Sequence, residues 1–172
     1  MAKQKNLSIY QGDLVPDGAD LRFGILVSSW NKEITSALLD GALRTLKKHG
    51  VIPESGLTVE WVPGSFELPQ AAAIMAHAES IDAVICLGCV IQGETRHFEF
   101  ISQAVANGCM ELAIHDLKPV IFGVLTTDTF EQARERAGGK HGNKGDEAAV
   151  AALQMADLRR RLLVDDELNF DL

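Results

Sequence analysis

Apolar and polar positions along the chain fall into two kinds of block. Short runs of aliphatic residues, typical of buried strands, lie at residues 21–28, 57–62, 83–91 and 120–125. Longer segments that are typical of helices follow these runs, at residues 31–50, 69–78, 97–116, 130–136 and 145–163. Strand–helix units with continuously apolar strands predict an α/β sandwich of three layers, in which helices cover both faces of a mostly parallel, four-stranded sheet.

The chain is predicted to form one domain over residues 1–172, because no repeat, low-complexity tract or linker divides it. Residues 1–20 form an N-terminal arm whose β-prone segment, residues 7–10, has two interpretations. It is either a disordered leader or a strand added to the sheet of a neighbouring subunit. Residues 164–172 form an acidic tail of unknown role.

Charge and hydropathy exclude several classes of partner. The net charge of −8 argues against a general nucleic-acid binder and against an anionic membrane surface. No run approaches the ~20 apolar residues of a membrane span, and no signal peptide is recognisable, so a cytoplasmic location is expected. Binding of an anionic small molecule is still compatible with this net charge if cationic side chains are concentrated at the binding site.

The three cysteines do not predict redox chemistry. Cys86 and Cys89 have the spacing of a redox pair, but they lie within a predicted strand, so that their side chains point to opposite faces. Because Cys109 brings the number of cysteines to three, which is odd, a disulfide scaffold is not expected either.

Open parallel sheets bind ligands at the carboxyl ends of their strands, which directs attention to the segments that follow each run. Trp30 follows the first strand and could stack on an aromatic heterocycle or simply cover the sheet edge. Glu67 follows the second strand and could bind hydroxyl groups or balance the start of a helix.

The third strand leads through a glycine turn, residues 92–96, into a helix. Such a turn exposes backbone N–H groups to an anion. His97 stands at the helix start, where it could exchange protons near neutral pH or serve as a surface or capping residue. The basic bend at residues 134–145 lacks the residue order of a P-loop and, on charge alone, is typical of a solvated turn.

Four segments carry a resemblance to a known family: WVPGSFELP (61–69), LGCVIQGETRHFEF (87–100), IFGVLTT (121–127) and ERAGGKHGNKG (135–145). In this order they resemble lumazine synthases from about residue 7 to residue 163. The resemblance implies a flavodoxin-like fold and the condensation of 5-amino-6-(D-ribitylamino)uracil with 3,4-dihydroxy-2-butanone 4-phosphate. The product is 6,7-dimethyl-8-ribityllumazine, and no metal or organic cofactor is expected.

The resemblance also implies which residues bind the pyrimidine and its ribityl chain. Trp30 matches the aromatic residue that stacks on the pyrimidine. Ser65 and Glu67, together with the backbone of Phe66, match the positions that hold the ribityl chain. The edge of the pyrimidine would be read mainly by main-chain groups of Cys89, Val90 and Ile91.

Phosphate binding and proton transfer are implied for a second set of residues. Glu94 and Thr95 match the phosphate-binding turn, and His97 matches the acid–base residue. The neighbouring subunit would contribute three residues, of which the second pairs with phosphate: Phe122, Arg136 and Lys144. Two positions depart from the commonest family pattern, with Gln92 where a basic residue is frequent and Glu94 where a small one is.

The resemblance implies pentameric rings with active sites between adjacent subunits. The short bend at residues 138–143 resembles that of shell-forming members, so a 60-subunit icosahedral shell is expected, with riboflavin synthase as a candidate enclosed partner. Three other functions stay open: a flavin- or nucleotide-binding module, a shell without catalysis, and a riboflavin synthase of the archaeal type.

Overall fold

The computed structural model describes residues 6–78 and 80–164, with only the backbone of Val164. Its centre is a sheet of four parallel strands in the order β2-β1-β3-β4. These strands are β1 (Phe23–Ser28), β2 (Leu57–Val62), β3 (Ala83–Ile91) and β4 (Val120–Thr127). The predicted parallel sheet is therefore confirmed.

Helices cover both faces of the sheet, as predicted. The helices are α1 (Lys32–Lys48), the short α2 (Pro53–Gly56), α3 (Leu68–Ala76), α4 (His97–His115), α5 (Phe130–Arg136) and α6 (Lys144–Arg159). One apolar core lies between the sheet and α1 with α6, and a second lies between the sheet and α3 with α4. The molecule is an α/β sandwich of three layers with a flavodoxin-like fold.

Alternation along the strands assigns side chains to the two cores. Ile25 and Val27 pack on the side of α1 and α6, whereas Leu26 packs on the side of α3 and α4. Cys86 and Cys89 likewise lie in different cores, which confirms that they do not form a redox pair. Both thiols, and that of Cys109, are free and buried.

The helix α6 is fixed to α1 by a buried asparagine at its start. The Oδ1 atom of Asn143 accepts a hydrogen bond from the amide of Gly145 at 2.8 Å, which caps α6. Its Nδ2 atom donates to the carbonyl of Ala37 on α1, also at 2.8 Å. One side chain thus sets where α6 begins and where it lies against α1.

The bend at residues 138–143 is more regular than the sequence indicated. It contains a two-stranded antiparallel hairpin formed by β5 (Ala137–Gly139) and β6 (Gly142–Asn143). Gly138 and Gly142 adopt φ values of 115° and 88°, which residues with side chains rarely tolerate. The glycines therefore form a tight turn rather than an irregular solvated loop.

No strand is assigned to residues 7–10 within the described chain, where the amide of Leu7 donates to the carbonyl of His141 at 3.0 Å and the segment lies against the β5–β6 hairpin. The two interpretations of this segment, a disordered leader and a strand added to the sheet of a neighbouring subunit, stay predictions. Of the acidic tail, residues 165–172 lie outside the described residues. No helix in the described part of the chain has the length and apolar character needed to cross a membrane.

Candidate functional site

A cavity of about 350 Å³ opens at the carboxyl ends of β1, β2 and β3, where the parallel-sheet rule places ligands. We refer to it as the first cavity. Eight of the residues that line it were predicted as site residues: Trp30, Ser65, Phe66, Cys89, Val90, Ile91, Thr95 and His97. The other five were not predicted from the sequence: Asn31, Gly64, Gly93, Phe98 and Ile101.

At the end of β1, an exposed indole side chain is followed by an asparagine that binds a main-chain carbonyl of β3. Trp30 is 73% exposed, so its flat face is open to a planar ligand. The next residue, Asn31, has a left-handed backbone with φ 57°, and its Nδ2 atom donates to the Cys89 carbonyl at 3.0 Å. Asn31 thereby joins the end of β1 to β3, in addition to preceding α1 as its N-cap.

The carboxyl end of β3 extends beyond its pairing with β1. In the described chain β1 pairs with β3 only as far as Leu87, whereas β4 pairs with β3 to Ile91. One edge of residues 88–91 therefore faces the first cavity instead of another strand. Main-chain groups on that edge could read the polar edge of a ligand.

The floor of the first cavity contains a buried hydroxyl group. Ser65 is 6% exposed, and its Oγ atom has no hydrogen-bond partner among the described residues. It packs so closely on Gly88 that a Cβ atom there would lie 2.6 Å from Ser65 Oγ. A buried polar atom without a partner is unfavourable, and a ligand hydroxyl entering the cavity would supply the missing hydrogen bond.

The turn at residues 92–96 forms the rim of the first cavity. The Gln92 side chain donates to the carbonyl of Gly93 at 2.8 Å, and the amide of His97 donates to Thr95 Oγ1 at 3.4 Å. The turn is thus held by its own hydrogen bonds at the N-terminus of α4, where the helix dipole favours an anion. Glu94 is exposed and does not line the cavity.

Cys89 contributes its main chain and not a reactive thiol. Burial raises the pKa of Cys89 to about 12, so the thiol stays protonated near neutral pH. A protonated thiol is a poor nucleophile.

The predicted Arg136 lies at a different place, in a second cavity of about 400 Å³. This second cavity is lined by Thr127 at the end of β4, by residues of α5 and by the hairpin: Glu131, Gln132, Glu135, Arg136, Lys140 and His141. Arg136 Nη1 donates to the His141 carbonyl at 2.8 Å, and Nη2 lies 2.8 Å from Glu147 Oε1. The guanidinium group is therefore fixed in direction before any ligand arrives.

Glu147 joins the two predicted cations of this region. Its Oε2 atom lies 3.1 Å from Lys144 Nζ, and its Oε1 atom pairs with Arg136. Burial raises the pKa of Glu147, but the hydrogen bonds from Arg136 and Ser8 and the charge of Lys144 outweigh burial and hold it below its ordinary value. Arg136, Lys144 and Glu147 together carry one net positive charge, and the carboxylates of Glu131 and Glu135 also line the second cavity. Glu147 was not predicted from the sequence.

Four predicted residues line neither cavity: Glu67, Glu94, Phe122 and Lys144. The Glu67 carboxylate is nevertheless near the first cavity, because a Cβ atom on Gly64 would lie 3.0 Å from Glu67 Oε2. Phe122 is half-buried on β4, where it packs against the core under α3 and α4. Among the described residues, His, Cys, Asp and Glu side chains form no group of three or more that could hold a metal ion.

Comparison with known proteins identifies the family. Residues 20–160 match the family model described as 6,7-dimethyl-8-ribityllumazine synthase. The chain belongs to the lumazine synthase family. The match includes every element from β1 to α6 and all residues that line the two cavities.

Individual lumazine synthases are similar over nearly their whole length. The protein of that name from Cytophaga hutchinsonii is 58% identical over 151 residues, which cover 88% of this chain and 94% of the relative. Those from Porphyromonas gingivalis and Parabacteroides distasonis are 54% and 51% identical, covering 90% and 89% of this chain and 96% and 95% of theirs. The resemblance carried by the four sequence segments is therefore confirmed.

Proposed function

We propose that this chain is a lumazine synthase, a transferase of riboflavin biosynthesis. It condenses 5-amino-6-(D-ribitylamino)uracil with 3,4-dihydroxy-2-butanone 4-phosphate to give 6,7-dimethyl-8-ribityllumazine, phosphate and water. Beside family membership, one observation carries the proposal. The first cavity combines an exposed indole, a buried hydroxyl without a partner and a histidine at a helix N-terminus.

The first cavity suits the pyrimidine substrate. Trp30 stacks on the heterocycle, and residues 89–91 hydrogen-bond its polar edge through the main chain. The ribityl hydroxyls bind Ser65 Oγ, the Phe66 backbone and the Glu67 carboxylate. The Ser65 hydroxyl, which has no partner among the described residues, and the part of β3 beyond Leu87 that does not pair with β1 both support this orientation.

The turn before α4 suits the phosphorylated ketone. Backbone N–H groups at Glu94 and Thr95 bind phosphate, while the Glu94 carboxylate stays in solvent. His97 transfers protons as the substrate amine attacks the ketone, water is lost and phosphate leaves. Correct positioning of the two substrates supplies most of the acceleration, because the reaction is intrinsically easy. No metal or organic cofactor takes part.

We propose that the active site is shared between subunits. The second cavity of one subunit, which contains Arg136, faces the first cavity of the next, with Lys144 beside it through Glu147, and Phe122 completes the wall. Their separation within one chain supports this arrangement, since the phosphate turn and the fixed guanidinium lie in different cavities. The subunits form pentamers and then a 60-subunit shell in the cytoplasm, with riboflavin synthase as a candidate enclosed partner. In such an assembly residues 7–10 can extend a neighbouring sheet.

The assay that tests the reaction mixes purified protein with both substrates and follows the fluorescent lumazine against the uncatalysed background. We expect saturable product formation. If correctly assembled protein gives no acceleration, the chain is a shell without catalysis or, if the purified protein carries flavin, a flavin-binding module.

Light scattering tests the assembly. We expect a particle of 60 subunits, because the bend at residues 138–143 resembles the short connection between the last two helices of shell-forming members. A particle of five subunits would refute the shell and leave the shared active site intact.

A further inference from the structure

The N-terminal arm is hydrogen-bonded to the part of the chain that carries Arg136 and Lys144. Ser8 Oγ lies 2.9 Å from Glu147 Oε1 and 3.0 Å from the Asn143 carbonyl, and it accepts the Asn143 amide at 2.8 Å. A hydroxyl has one proton, and an ionised carboxylate is a stronger acceptor than a carbonyl. Ser8 therefore donates mainly to Glu147.

The two oxygen atoms that hold the Arg136 guanidinium, Glu147 Oε1 and the His141 carbonyl oxygen, also accept hydrogen bonds from the arm. Glu147 Oε1 accepts from Arg136 Nη2 and from Ser8 Oγ. The His141 carbonyl accepts from Arg136 Nη1 and from the Leu7 amide. Two independent hydrogen-bonding paths thus connect residues 7 and 8 to the same guanidinium group.

The close contact of arm and hairpin depends on a glycine. A Cβ atom on Gly142 would collide with the Ser8 and Asn6 side chains, and φ at Gly142 is 88°. The hairpin therefore accommodates the arm at this point, which indicates a built contact rather than a chance approach of two surfaces.

We propose that Ser8 is a positioning residue for the phosphorylated substrate, acting through Glu147 on Arg136 and Lys144. Ser8 directs the carboxylate toward the guanidinium, and the carboxylate holds both cations in one orientation. Three of the five N–H groups of the guanidinium are not used in the two contacts above and can bind an oxyanion. This inference rests on the proposed function, in which Arg136 binds phosphate.

The test compares Ser8→Ala with Tyr10→Phe in the full-length assembled protein. Tyr10→Phe removes different hydrogen bonds of the arm, those of the Tyr10 hydroxyl with His49 and Lys48, and leaves Glu147 untouched. Loss of one hydrogen bond predicts a roughly three- to ten-fold rise in KM for the phosphorylated ketone in Ser8→Ala. We expect an unchanged KM for the pyrimidine, and wild-type constants for Tyr10→Phe.

A double mutant shows whether Ser8 acts through Glu147. If it does, Ser8→Ala combined with Glu147→Gln has the same ketone KM as Glu147→Gln alone. Multiplicative effects, equal changes in both KM values, or equal effects of Ser8→Ala and Tyr10→Phe would overturn the proposal.

Hydrogen exchange of the substrate-free protein separates this inference from the proposed function. We expect faster amide exchange at residues 137–147 in Ser8→Ala and not in Tyr10→Phe. Unchanged exchange would overturn the positioning role even if the enzyme is active. A wild-type protein that makes no lumazine would instead count against the proposed function.

Discussion

At the scale of single residues, Ser65 carries one of two buried side-chain hydroxyls, with that of Ser102, that have no hydrogen-bond partner among the described residues. Its hydroxyl is buried in the first cavity without a partner among the described residues. Ser65 is therefore expected to contribute to ligand binding and not to the stability of the fold.

We expect Ser65→Ala to raise the KM for the pyrimidine substrate about five-fold, the equivalent of one lost hydrogen bond of about 1 kcal/mol. The melting temperature should stay the same or rise, because the substitution removes an unsatisfied buried polar atom. Ser102→Ala is a matched control, since Ser102 Oγ is also buried and unpartnered but Ser102 does not line the cavity. A lower melting temperature with normal KM in Ser65→Ala would contradict the binding role.

His97 is expected to act on the reaction and not on folding. Its side chain is exposed at the rim of the first cavity, so His97→Ala should leave the melting temperature unchanged. The kcat should fall by no more than the factor of roughly 10²–10⁴ that is typical of general acid–base catalysis. His115→Ala, at the exposed other end of α4, is the control in steady-state assays. Equal kcat values for the two variants would remove His97 from the mechanism.

At the scale of elements, Asn143 determines the junction of α1 and α6. Its side chain is buried and hydrogen-bonds both the first turn of α6 and the Ala37 carbonyl of α1. Sequence alone indicated a glycine-rich bend here, because the second partner is 106 residues away.

We expect Asn143→Ala to lower the free energy of unfolding by about 2–3 kcal/mol, since it removes a helix cap and leaves a buried carbonyl unpaired. Thr129→Ala removes an exposed cap, the hydrogen bond from the Gln132 amide to Thr129 at the start of α5. That variant should cost only about 1 kcal/mol. Denaturant unfolding measures both, and equal losses would show that the contact with α1 contributes little.

Element boundaries show what local sequence determines. The prediction for α5 and those for β2 and β3 are confirmed to the residue. The prediction for β4 ended too early, at Leu125, because it followed hydrophobicity. Hydrogen bonding continues to Thr127, since Val90 and Ile91 offer partners on β3. The prediction for α6 ended too late, because the chain changes to a π-helical turn at Arg160.

At the scale of the whole molecule, Glu147 of α6 ties the arm and the end of α5 to α6 through contacts that depend on charge. The pKa of Glu147 is lower in the folded protein than its ordinary value of 4.5, despite burial, because Arg136, Ser8 and Lys144 stabilise its ionised form. A carboxylate with a lowered pKa contributes stability that is present above the ordinary pKa and is lost as pH falls below it.

We therefore expect the melting temperature of the wild-type protein to fall more steeply below about pH 4.5 than that of Glu147→Gln. The neutral amide cannot lose a charge, so its curve should be flatter even if it starts lower at pH 7. Glu54→Gln, on the exposed α2, should follow the wild-type slope. Parallel curves for wild type and Glu147→Gln would show that the Glu147 ion pairs add nothing to folding.

The sequence by itself determined the strands, the larger helices, the two-faced sheet and the edge of the sheet at which the first cavity lies. These follow from hydrophobic periodicity and from the rule that parallel strands end at one edge of a sheet, both of which can be seen in short segments. The family resemblance supplied the individual residues of the site and their chemistry.

Only the tertiary structure showed that Ser65 lacks a partner, that Asn31 holds the Cys89 carbonyl, and that Arg136 lies in a separate cavity beside Glu147. It also brought Ser8 to Glu147, 139 positions along the chain. Such pairings have no local signature, because a hydrogen bond depends on where two distant segments meet in the folded chain and not on the residues that flank either one.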